Sequence, residues 1–94
     1  MNESKTSPWD RFLGKAVVVD TATPFLYIGT LRAADDHVLE LEMADVHDRG
    51  EGHSTNERYA LESLKSGVRA NRRRVTIRMA AVVSLSLLDD VIPY

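Results

Sequence analysis

The chain predicts a mainly β domain: a five-stranded open barrel with a short N-terminal helix and a long helical insertion between strands three and four. Three observations carry this. Apolar or β-branched segments recur at 15–21, 25–33, 38–44, 72–78 and 81–88, several with the period-two alternation of a strand that buries one face. Turn-forming residues punctuate them. Gly29 lies inside the second segment, where a glycine marks a sharp bend or a close backbone approach. Short bent strands after a helix fit a small barrel.

Each element follows from its residues. Residues 1–6 read as a flexible tail, and residues 7–94 as one domain, the size at which a single small core forms. Ser7 suits a helix cap, Pro8 the first helical position and Asp10 the positive helix end. Trp9, Phe12 and Leu13 give that helix an apolar face to pack across the barrel's open end, and Gly14 stops it. "KAVVVDT" is the first strand; "TATP" turns, with Pro24 holding Thr23 extended; "FLYIGTLRA" is the second strand. Asp35 and Asp36 turn the chain into "VLELEMA", in which Leu39, Leu41 and Met43 point inward while Val38, Glu40 and Glu42 point outward. Residues 45–71 form the long connection. Ser54 and Glu57 have capping-box spacing, and Leu61, Leu64 and Val68 fall on one face of a helix at about 55–66. "RRRVTIR" and "AVVSLSLL" complete the barrel.

Composition narrows the function. With 44% apolar and 28% charged residues the chain is an ordinary globular one rather than a disordered one. It has no cysteine, which excludes disulfides and thiolate zinc sites. No apolar run approaches the roughly 20 residues of a membrane helix, and the N-terminus lacks the hydrophobic core of a secretory signal. The expected location is therefore cytoplasmic, with no membrane contact. The net charge of −2 conceals a segregation: nine acidic and two basic residues between Asp35 and Glu62, then six basic and no acidic residues between Lys65 and Arg78. Strand pairing of the acidic third strand with the basic fourth places Val75 and Ile77 inward. Arg74, Thr76 and Arg78 then share an outer face with Glu40 and Glu42.

Tyr27-Ile28-Gly29-Thr30-Leu31, then Asp36, then the apolar positions Leu39, Leu41 and Met43, followed by "IRMAAVVSLSLLDD" from Ile77, resemble the two motifs of the Sm/LSm family. The resemblance covers roughly residues 8–45 and 72–89. It implies an Sm-like barrel that closes into a homo-oligomeric ring and takes single-stranded RNA. The family-motif positions are Gly29, Asp36, Glu40 and Arg78. Val38 stands where the family stacks a base, and Glu40 where it reads uracil with an asparagine; Met79 replaces a glycine. Stacking contributes about 1–3 kcal/mol per base, and a carboxylate only accepts hydrogen bonds and repels phosphate. The fold carries over, whereas the uridine pocket is altered.

Two functions follow. In one, RNA is held by a basic surface, with Arg69, Arg72, Arg73, Arg78 and His37 as its residues; the competing reading of those arginines is a solvated or salt-bridged face. In the other, the barrel is a protein-interaction or structural module whose 45–71 insertion meets a protein partner. Asp45, His47, Asp48 and His53 have no metal-site spacing and read as solvated polar side chains of a surface loop. Nothing in the chain has the form of a nucleophile elbow or a phosphate loop. No enzyme, cofactor or metal is expected.

Overall fold

Val17, Val19, Leu39 and Leu41 occupy alternate strand positions and are fully buried, and enclosing that face curls the sheet. The computed structural model describes residues 7–50 and 55–93. β1 (Ala16–Thr21), β2 (Phe25–Ala34), β3 (Val38–Asp48), β4 (Arg72–Arg78) and β5 (Val82–Leu87) form one antiparallel sheet in the order β4-β3-β2-β1-β5. A three-residue 3₁₀ corner, Met79–Ala81, joins β4 to β5.

The sheet is covered on both faces. Inside the barrel, Phe12, Val17, Val19, Leu31, Leu39, Leu41 and Ile77 make the main core, and Trp9 packs against it. Outside, Val18, Leu26 and Ile28 meet Ala60 and Leu64 of an α-helix, α1 (Asn56–Ser66). Three consecutive valines in β1 are buried for this reason: neighbours point to opposite faces, and both faces are roofed.

Several sequence expectations change. The N-terminal helix is only a 3₁₀ turn, Asp10–Phe12. Side chains brace the residues leading into it: the Ser7 hydroxyl accepts the Trp9 N–H at 3.1 Å, and the Asp10 carboxylate accepts the Ser7 N–H at 3.0 Å. Gly14, at φ 77°, ends the turn, and so few residues cannot repay helix nucleation. The insertion, expected to be long and helical, carries only a short helix of 11 residues, which lies within the expected bounds of about 55–66. Thr55 caps it by accepting the Arg58 N–H at 3.1 Å; the expected cap Ser54 lies outside the described residues, as does the 1–6 tail. Gly67, at φ 90°, terminates it.

β3 runs to Asp48 instead of stopping at Ala44, so Asp45–Asp48 belong to the sheet and not to the connection. Met43, expected inward, is 57% exposed. The cause is a bulge. Ile28 pairs with Asp45 and Thr30 with Glu42, so Met43 and Ala44 together oppose Gly29. Met43 takes φ 48°, the alternation slips, and Ala44 becomes the buried residue. Gly29 has the close backbone approach that its position predicted: a Cβ there would lie 2.9 Å from the Ala44 Cα.

Candidate nucleic-acid interface

A continuous ladder crosses four strands on the outer face: Ala16 opposite Thr30, Thr30 opposite Glu42, and Glu42 opposite Arg74. Glu42 is its charged centre. It takes Arg32 Nη1 at 2.8 Å and Arg74 Nη2 at 3.5 Å, and Arg32 Nε also lies 3.9 Å from Glu40. The acidic strand is thus neutralised from both sides. All four side chains are partly solvated, so each pair contributes at most about 1 kcal/mol. Arg32, two residues after Thr30, has the parity of the outer face, and it lies at a second irregularity of β2, between Leu31 and Ala33.

The five residues put forward for RNA do not form one patch. Arg78 sits opposite Val38, not opposite a glutamate, and the Met79 N–H donates to the His37 carbonyl at 2.8 Å. His37, Val38 and Arg78 are therefore gathered at one pole, where the β2–β3 turn meets the β4–β5 corner. Arg69, Arg72 and Arg73 lie at the other end of β4, about 20 Å away at the rise of a strand. Among the described residues, none of these four arginines has a carboxylate within salt-bridge distance, in contrast to Arg74.

The turn at the first pole is built by Asp35 rather than by the motif-position Asp36. The Asp35 carboxylate accepts the N–H groups of His37 at 2.7 Å and Val38 at 2.8 Å. Those two bonds hold its carboxyl below the usual carboxylate range. Glu40 faces Thr76 across the strand pair.

The far end of β3 is tied to α1. Buried Asp45 accepts the Tyr59 hydroxyl at 2.5 Å and Asn71 Nδ2 at 3.4 Å. Burial, and then the adjacent carboxylate, push the Tyr59 hydroxyl up to about 12. His47 stacks on Tyr59 with ring centroids 3.8 Å apart. Asn71 extends the β3–β4 pairing by clasping Val46, accepting its N–H at 3.0 Å and donating to its carbonyl at 3.1 Å. Asp48 caps the Gly50 N–H, and His53 lies outside the described residues. Among the described residues no three ligand-type side chains gather around a common point. No helix among them is long and apolar enough to cross a membrane.

Neither a protein-family model nor a curated protein matches the chain. Solved structures do. An Sm protein of Pyrococcus abyssii, solved in complex with a uridine heptamer, is 24% identical, with a TM-score of 0.59 over 87% of this chain and 99% of that one. A chain of the NatC complex bound to CoA is 16% identical, with a TM-score of 0.57 over 89% of this chain and 88% of that one. The fold is Sm-like.

Proposed function

We propose that this protein is a non-catalytic, cytoplasmic Sm-like module that closes into a homo-oligomeric ring and holds single-stranded RNA at the pole formed by Arg78 and His37. The observation that carries the reading is the arrangement at that pole: Arg78, with no carboxylate within salt-bridge distance among the described residues, lies where two chain reversals meet and the Met79 N–H bonds the His37 carbonyl. A ring repeats this pair once per subunit around its axis, so weak phosphate contacts add through avidity. The uridine heptamer bound to the Pyrococcus abyssii Sm protein supports RNA as the ligand class. With Val38 and Glu40 at the altered positions, affinity comes mainly from phosphate contact rather than from base reading.

Fluorescence anisotropy with a labelled uridine oligomer and nuclease-treated protein tests this. Binding weakens steeply with salt, Arg78→Ala weakens it further and flattens the salt dependence, and Glu40→Ala does not weaken it. If Arg78→Ala binds like wild type while Arg69→Ala/Arg73→Ala loses affinity, the site lies at the other end of β4.

One observation favours a second reading. A chain of the NatC complex has the same fold over nearly the whole of this chain, and α1 lies on the outer face of the barrel, where a protein partner can reach it. Absence of any affinity for RNA at low salt selects that reading, a protein-interaction barrel whose contact surface is the segment around α1.

A further inference from the structure

On the outer face of the sheet, α1 and the C-terminal segment stand on either side of a groove of about 510 Å³. Its floor is apolar, with Val18 of β1 and Leu26 of β2. The helix wall follows from helical spacing. Ala60 and Leu64 pack on the sheet, which leaves Glu57 and Leu61, four residues apart on one stripe, to line the groove. A 3₁₀ turn, Leu88–Asp90, shapes the other wall. Leu88 is buried, the Val91 N–H donates to the Leu88 carbonyl at 3.1 Å, and Ile92 is left 69% exposed at the groove. Each wall thus carries an apolar side chain, Leu61 or Ile92, and an exposed carboxylate, Glu57 or Asp90.

The charge of the groove is one-sided. Asp20, which accepts the Ser84 hydroxyl at 3.2 Å, adds a third carboxylate. The one cation among the lining residues, Arg58, lies 3.9 Å from Glu62, a turn further along α1. Such a groove repels phosphate and attracts a cation that brings apolar surface with it. Its length sets the size of the occupant. From Thr55 to Leu61 the helix wall runs about 9 Å at the rise of an α-helix, a span that an extended chain crosses in about three residues. Side chains alternate along an extended chain. When the middle one enters the groove, its two neighbours therefore lie at the rim, beside the carboxylates.

We infer that this groove binds an extended peptide of a protein partner, of which about three residues enter: a bulky apolar side chain flanked by lysine or arginine. The flanking stems cover Leu61 and Ile92 while their charged heads reach Glu57 and Asp90. The inference rests on the second reading above, whose partner chemistry it names, and it needs neither the ring nor RNA.

Fluorescence anisotropy with the full chain and labelled glycine-serine peptides tests it, the peptides carrying a central Arg-Leu-Arg, Glu-Leu-Glu or Arg-Ser-Arg. The Arg-Leu-Arg peptide is expected to bind at least about tenfold more tightly than either control. Glu57→Gln/Asp90→Asn weakens it about tenfold, the size of a lost charge-assisted contact. Ile92→Ser and Leu61→Ser also weaken it, with thermal melts confirming that the variants fold; if Leu61→Ser does not fold, Ile92→Ser decides alone. No binding of the Arg-Leu-Arg peptide, or equal binding of all three peptides, overturns the inference. So does an affinity that the carboxylate and apolar substitutions leave unchanged. A change in mass by light scattering for Glu57→Gln/Asp90→Asn without peptide would show that a second copy covers the groove, and overturns it as well. Affinity for a uridine oligomer, measured alongside, reports on the RNA reading separately.

Discussion

Gly29→Val is expected to destabilise the protein by about 3 kcal/mol, at the upper end of overpacking costs. The added Cβ would lie 2.9 Å from the Ala44 Cα, 3.0 Å from the Ala44 Cβ and 3.1 Å from the Glu42 carbonyl oxygen. Two of those three neighbours are backbone atoms, which cannot rotate away. They belong to the strand that bulges at Met43, and β2 and β3 approach so closely there because nothing projects from Gly29 between them. For a domain of this size such a loss lowers the melting temperature by roughly 12–24 °C. A thermal melt followed by circular dichroism reads it directly. A melting temperature within a few degrees of wild type would show that the two strands separate freely at the bulge.

Leu41→Ala carries the second large effect. Leu41 is 0% exposed and packs in the interior core with Leu39, Val17 and Ile77. Truncating a buried leucine costs about 2–5 kcal/mol, the spread depending on how far the surroundings collapse into the cavity. A small domain has only about 5–15 kcal/mol of total stability, so the loss consumes a large share of it. Met43→Ala, two residues on, is the informative comparison: its side chain lies outside the core, so the expected change is within about 0.5 kcal/mol. In urea titrations the Leu41→Ala midpoint falls sharply while the Met43→Ala midpoint barely moves. Equal shifts would mean that the alternation runs unbroken through Met43 and that the bulge is absent.

That contrast also marks where sequence reasoning succeeded and where it stopped. β4 was legible in bounds and parity, because "RRRVTIR" alternates cleanly and buries Ile77 while exposing Arg74 and Arg78. The pairing of Glu42 with Arg74 followed from the same alternation. The bulge at Met43 left no trace in the apolar pattern, since a methionine at that position continues the alternation of Leu39 and Leu41. The extension of β3 was hidden because Asp45 and His47 face α1 rather than an apolar layer, and polar residues at those positions read as loop. Arg32 was missed because its pairing with Glu42 follows from the register of β2 against β3, whereas the charge pattern drew attention only to β4. The RNA candidates looked like one cluster in the run "RANRRR" through Arg78, but an extended strand holds the two ends of that run far apart. Sequence proximity is a poor guide to spatial grouping along a strand.

The fold is an Sm-like barrel whose sheet has β4 and β5 as its outer strands, and the proposed function depends on several copies assembling into a ring. The mass of the nuclease-treated protein in solution tests this most directly. Light scattering is expected to give a closed species larger than a dimer, at an integer multiple of the 10.5 kDa protomer. A 10.5 kDa species at all concentrations would contradict the account.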